Sequence, residues 1–221
     1  MQNTVCLKSK SRGYTLTMFI SGVFRYSLIV SLILLQACTD PDYLTPIPED
    51  GVILAFGDSL TVGVGVGDTD SYPAVLTQLS GRKVIGAGVS GEETSQGLKR
   101  LPTVIDEVNP SLMILLLGGN DILRNRNMQN TKQNLSAMIE IAHARGVQVV
   151  LIGVPEKKIF SDVAPLYEEL AEQYNLLHLD DLLSQLLRDN EYKSDAVHLN
   201  QQGYRVMAES IHKSLVKYGA L

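Results

Sequence analysis

The sequence predicts an α/β fold, a three-layer α/β/α sandwich around about five parallel strands. Three observations carry this expectation. Short, continuous apolar runs recur along the chain, as suits strands buried on both faces of a parallel sheet. Stretches with helical periodicity lie between them. The two kinds of segment alternate, which is the signature of a sheet covered by helices on both sides.

The runs are Val52–Phe56 (VILAF), Lys83–Gly86, Leu112–Leu117 (LMILLL), Val147–Ile152 (VQVVLI) and Leu176–Leu179. The spacing predicts a helix over 130–145, with Leu135, Met138, Ile139 and Ala142 on one face. A second is expected over 163–174, with Val163, Leu166, Tyr167, Leu170 and Tyr174 aligned. A third is expected over 201–217, where Tyr204, Met207, Ile211 and Leu215 follow a 3-4-4 rhythm and Asn200 can cap the first turn. No internal repeat or low-complexity tract interrupts the pattern. Ligands of such folds bind beyond the carboxyl ends of the strands, so the informative loops follow Phe56, Gly86, Leu117, Ile152 and Leu179.

The 221 residues are 45% apolar and 19% charged, a globular composition with room for one domain. With 19 basic and 24 acidic residues the formal charge is −5, which argues against a nucleic-acid partner. Two cysteines cannot build a Cys-rich zinc site or a disulfide framework. No apolar run in the body reaches the length of a membrane span.

The first 37 residues read differently. Lys8, Lys10, Arg12 and Arg25 are unaccompanied by any acid, and Tyr26–Leu35 (YSLIVSLILL) is an uncharged, mostly apolar run. A basic start, a short apolar core and a small residue before the cut describe a secretory signal peptide. Leu35-Gln36-Ala37-Cys38 resembles a bacterial lipoprotein box, which implies lipidation of Cys38. Met18 is an alternative start that would give a leader of ordinary length. Removing 1–37 leaves 15 basic and 24 acidic residues and no free thiol besides the acylated Cys38. Residues 38–50, with three prolines and four acids, read as the lipidated N-terminus and an extended tether, and 51–221 as the folded domain. Thr39, rather than Asp, after the cysteine favours the outer membrane.

Four loops carry candidate chemistry. Gly57-Asp58-Ser59-Leu60 follows the first strand, where Gly57 permits a tight turn. Gly88-Val89-Ser90-Gly91-Glu92-Glu93-Thr94 follows the second, and Gly118-Gly119-Asn120-Asp121 the third. Asp195-Ala196-Val197-His198 precedes the last helix. A nucleophilic serine needs a general base, which histidine supplies near neutral pH. A carboxylate three residues upstream can fold back on the imidazole. Asn120 and the N–H groups of Ser59 and Gly91 are candidate oxyanion donors.

These blocks resemble the SGNH (GDSL) hydrolase superfamily: GDSL at 57–60, an oxyanion glycine, G-x-N-D at 118–121 and D-x-x-H at 195–198. The segments SGEETSQGLKRLP, LLLGGND and DAVHLN look closest to the bacterial thioesterase, lysophospholipase and arylesterase branch. Block two departs from the usual pattern. Gly86-Ala87-Gly88 replaces the common Asn-Ala-x, and Glu92-Glu93 adds a residue before Thr94, so Gly88 stands as an alternative to Gly91. The resemblance implies Ser59 as nucleophile, His198 as general base and acid, Asp195 as its orienting partner, and Ser59, Gly91 and Asn120 as the oxyanion hole. It implies no metal or cofactor.

Other features have plainer readings. Asp58 and Asp121 brace their loops. His143 and His178 are structural, and His212 is exposed. Gly63, Gly65 and Gly67 lack dinucleotide spacing and form a loop at the mouth of the site. Pro155-Glu156-Lys157-Lys158 either lines a substrate pocket or is a simple loop. The expected function is a serine esterase acting on carboxylic esters or thioesters, with a small acyl ester or lysolipid as substrate. Alternatives are a carbohydrate or peptidoglycan O-deacetylase, or a non-catalytic envelope lipoprotein. The expected state is a monomer in a bacterial cell envelope, held to the membrane through Cys38.

Overall fold

The computed structural model describes residues 44–156 and 163–221. The leader, Cys38, the start of the tether, and Lys157 and Lys158 lie outside the described residues.

Five parallel strands form one sheet in the order β2-β1-β3-β4-β5. They are β1 (Val52–Gly57), β2 (Lys83–Gly88), β3 (Leu112–Leu116), β4 (Gln148–Ile152) and β5 (Leu177–Leu179). The three inner strands are the most apolar, and β3 is buried at every position. β2, with Lys83 and two glycines, takes an edge and stays half-exposed. In register, Leu54 pairs with both Ile85 and Met113, and Ile114 with Val150.

The helices are α1 (Ser59–Val62), α2 (Tyr72–Ser80), α3 (Thr94–Val108), α4 (Gly119–Leu123), α5 (Met128–His143), α6 (Pro165–Tyr174), α7 (Asp181–Arg188) and α8 (Gln201–Lys217). α2 packs against α8, while α5 packs against both α3 and α6. The apolar faces expected for the long helices are the buried ones: Leu135, Met138 and Ile139 on α5, and Tyr204, Met207, Ile211 and Leu215 on α8 are shielded from solvent. Asn200 caps α8 by accepting the Gly203 N–H at 2.9 Å.

Boundaries moved where a local signal outweighed periodicity. α5 begins at Met128, because Asn127 accepts the N–H groups of Gln129 and Asn130. α6 begins at Pro165 rather than Val163, since proline suits the first helical turn and Val163 is engaged in a bridge with Pro155. His212 is half-buried rather than exposed, its helix being flanked on both sides of that turn by core residues.

Part of the segment read as tether is instead docked. Leu44 and Ile47 are buried, Thr45 exchanges two hydrogen bonds with the Gln148 side chain, and the Ile47 N–H bonds the Ala220 carbonyl at 2.8 Å. The two apolar side chains in an otherwise polar, proline-rich stretch supply the reason. Among the described residues no helix is long and apolar enough to cross a membrane.

β1 leads outward to β2 on one side, and β3 lies on its other side. The carboxyl ends of β1 and β3 therefore flank a point where the strand order reverses. In open α/β sheets that crevice is the ligand site.

Candidate active site

Asp58 and Ser59 sit directly beyond β1. A side chain on Gly57 would meet the Leu116 carbonyl at 2.2 Å, so only glycine lets β1 run this close to β3 before the turn. Asp58 caps the short α1: its side chain accepts the Leu60 N–H at 3.1 Å, and its carbonyl accepts those of Thr61 and Val62. Ser59 is thereby fixed as the first residue of a helical turn.

His198 arrives from the other end of the chain. Its loop is pinned by a bridge between Lys193 and Leu199, and by Asn200, whose amide donates to the Glu191 and Lys193 carbonyls. The imidazole Nε2 lies 3.0 Å from Ser59 Oγ, and Nδ1 lies 2.8 Å from Asp195 Oδ2. The other oxygen, Asp195 Oδ1, accepts the Val197 and His198 N–H groups at 2.8 and 2.9 Å. The hydrogen bond with His198, followed by that from Val197, pulls the Asp195 carboxyl down to about 2. It is therefore ionised at neutral pH, with Nδ1–H as its donor and Nε2 left to accept from the serine. Asp195 is 55% exposed, so backbone donors rather than burial hold it in place.

Asn120 lies in the first turn of α4, beyond β3. Its Nδ2 donates to Asp58 Oδ2 at 3.2 Å and to the Glu92 carbonyl at 3.1 Å. Asp58 is almost fully buried, and burial pushes its carboxyl up to about 6 against the opposing pull of the Leu60 N–H, His198 and Asn120. Asp121 is buried behind it and accepts from the Thr94 N–H, the Thr94 hydroxyl and the Thr131 hydroxyl. Both aspartates brace their loops, as expected.

Gly91 sits in a tight turn closed by the Glu92 N–H on the Val89 carbonyl, with a φ of 77°. That conformation favours glycine. Gly91 lines the same cavity as Ser59, Asn120 and His198. Gly88 is the last residue of β2, where an added side chain would come within 3 Å of the Asp58 carbonyl and the Val62 amide, and it does not line the cavity. The structure thus brings Ser59, His198, Asp195, Asn120 and Gly91 together.

The cavity has a volume of about 880 Å³. Ile122, Leu123, Val154, Leu183 and Leu187 supply apolar wall, and Glu156, Arg188 and Lys193 supply polar rim. Val64, from the glycine-rich loop, and Ser90 also line it, as do Pro155 and Glu156 after β4. Sequence patterning gave no notice of α7 as a wall. The same holds for Glu92, which is buried and ion-paired with Arg100 at 2.6 Å. Among the described residues no three His, Cys, Asp or Glu side chains cluster to hold a metal.

Residues 55–206 match the model of the GDSL-like Lipase/Acylhydrolase family. The chain belongs to that family. Esterase TesA of Pseudomonas aeruginosa is 32% identical over 127 residues, covering 55% of this chain and 63% of that one, a little under two thirds of its length. An arylesterase of Vibrio mimicus is 31% identical over 177 residues, covering 75% of this chain and 88% of that one. Among solved structures, the SGNH-hydrolase family esterase AlinE4 is 33% identical with a TM-score of 0.59, covering 77% of this chain and 97% of that one. Family and relatives make this GDSL-family chain a serine ester hydrolase.

Proposed function

We propose that this ester hydrolase works through an acyl-enzyme on Ser59 and that its substrates carry an extended acyl group. The observation that carries the reading is the continuous relay from Ser59 Oγ through His198 to Asp195. Nε2 takes the serine proton as Oγ attacks the acyl carbonyl carbon. The resulting imidazolium is held by the ionised Asp195. The carbonyl oxygen becomes an oxyanion, and the N–H groups of Ser59 and Gly91 and the Asn120 amide are its donors. Both Asn120 amide hydrogens already have acceptors, Asp58 and the Glu92 carbonyl, so the oxyanion competes for one of them. As the tetrahedral species collapses, the imidazolium protonates the departing alcohol or thiol. Water then repeats the sequence on the acyl-enzyme and regenerates Ser59.

The size and apolar wall of the cavity support an acyl chain or aryl ester. They fit less well the acetyl group of a sugar or peptidoglycan ester, which would leave most of such a wall uncovered. The intact relay weighs against a non-catalytic binding lipoprotein. The sequence of residues 26–38 supports lipidation of Cys38 and an envelope location, with Thr39 favouring the outer membrane.

The test uses residues 39–221 and Ser59→Ala against p-nitrophenyl esters of graded chain length, an acetylated sugar and a lysophospholipid. Turnover lost in the variant, with a preference for longer acyl groups, is the expected result. Preference for acetyl esters would point to deacetylation. For the anchor, radiolabelled palmitate should enter the full chain and not Cys38→Ser.

A further inference from the structure

We infer that Arg100 and Glu92 are positioning residues for the oxyanion hole, acting through Asn120 and the two strand ends beside it. The inference rests on the assignment of Asn120, Gly91 and Ser59 as oxyanion donors.

Arg100 lies on α3 and points back under the site. Its Nε and Nη2 each meet one oxygen of the Glu92 carboxylate at 2.6 Å, a two-pronged pairing that fixes both side chains in a plane. The same Nη2 donates to the Ala87 carbonyl at 2.8 Å and to the Gly57 carbonyl at 3.2 Å. The guanidinium stacks 3.9 Å above the Phe56 ring. One cation thus ties the end of β1, directly before Asp58 and Ser59, to the end of β2 and to the loop that carries Gly91.

Glu92 passes this restraint on through its backbone. Its N–H closes the turn that sets Gly91 at positive φ, and its carbonyl receives the Asn120 amide. Gly91 is joined covalently to Glu92, the Asn120 amide is one hydrogen bond from it, and Ser59 follows two residues after the Gly57 carbonyl that Arg100 holds. Glu92 is only 4% exposed and Arg100 23%. A buried ion pair is a poor source of stability compared with apolar side chains of similar volume. A lysine would keep the charge but could not reproduce the two-pronged pairing with the carboxylate while also reaching the strand-end carbonyls. The arrangement is suited to fixing geometry, and displacement of a reacting group by about 1 Å costs roughly a hundredfold in rate.

The experiment compares Arg100→Lys, Glu92→Gln and the paired Glu92→Leu/Arg100→Leu in residues 39–221. The paired variant guards against a destabilising lone buried charge. Each folded variant is assayed for kcat and KM, and for affinity toward a trifluoromethyl ketone, which forms an oxyanion, against the matching methyl ketone. Expected are a kcat loss of roughly 30- to 100-fold with KM little changed, and a parallel loss of trifluoromethyl ketone affinity alone. Asn120→Ala provides the reference, and adding Arg100→Lys to it should cost little more. Folded variants with unchanged kcat and ketone discrimination would overturn the positioning role while leaving Asn120 in place. An Asn120→Ala enzyme with undiminished kcat would overturn the oxyanion assignment and this inference with it.

Discussion

His198 Nε2 stands 3.0 Å from Ser59 Oγ although 139 positions separate the two residues in the chain. Ser59 is held by the cap of α1, and His198 by a loop stapled between a bridge and the cap of α8. The imidazole has one further anchor, Asp195. Asp195→Asn keeps an oxygen for the Val197 and His198 N–H groups but replaces the acceptor at Nδ1, which turns the imidazole toward the wrong tautomer. The variant should fold normally and lose turnover by about 10⁴-fold near neutral pH. Steady-state p-nitrophenyl ester hydrolysis measures it, and a loss under tenfold would remove Asp195 from the relay.

Burial of Asp58 makes a separate statement about pH. Its carboxyl is pushed from 3.8 to about 6 by desolvation in the fold. The native state therefore holds this proton more tightly than the unfolded chain. The associated stability is present in full below about pH 4, is lost as pH rises through about 6, and stays lost above it. The shift corresponds to roughly 3 kcal/mol. Asp58→Asn removes this dependence, at the cost of presenting an amide to Asn120. Urea unfolding of both proteins at pH 4 and pH 7 should show the variant gaining on the parent by about that amount at the higher pH. Equal differences at the two pH values would refute the burial argument.

The parts of this molecule that could be read from sequence are those encoded locally. β3 is a run of leucine, methionine and isoleucine buried at every position, and no helix-like spacing competes with it. Asp195 and His198 are three apart, so their meeting needs only a turn. What stayed hidden depends on chain segments that meet in space. Arg100 and Glu92 are eight apart, but their geometry is completed by carbonyls on two strands. The lining role of α7 hid because an eight-residue amphipathic stretch shows which face is apolar, not that Leu183 and Leu187 border a cavity. Gly91 and Gly88 are equivalent as letters. The turn geometry separates them, since the one at positive φ reaches the cavity and the other ends a strand.

Leu187 on α7 offers a handle on substrate length. It is half-buried and borders the cavity together with Leu123 from α4. Leu187→Trp adds bulk to the wall without touching the relay. Hydrolysis of esters of two to four carbons should persist, while kcat/KM for chains of eight carbons or more should fall by about tenfold or more. A chain-length profile on both proteins checks this, and an unchanged profile would place the acyl group elsewhere.

The docking of residues 44–50 yields the last expectation. Ile47 is buried at 4% exposure, and its N–H bonds Ala220 just beyond α8. Thr45 pairs with Gln148 at the first residue of β4. Both contacts lie at the amino ends of the strands, whereas Ser59 and Asn120 lie beyond their carboxyl ends. A free tether and a docked strap therefore predict different things for one substitution. Ile47→Ala on a tether would stay within about 0.5 kcal/mol of the parent, the usual range for an exposed site. On a docked strap it leaves a cavity and should cost about 2–5 kcal/mol in urea unfolding. The folded fraction should retain full kcat, because the bonds of Thr45 and Ile47 lie at the opposite end of the sheet from the relay and its oxyanion loop. Deleting residues 39–50 should destabilise at least as much, since Leu44 and the Thr45–Gln148 pair are lost along with Ile47.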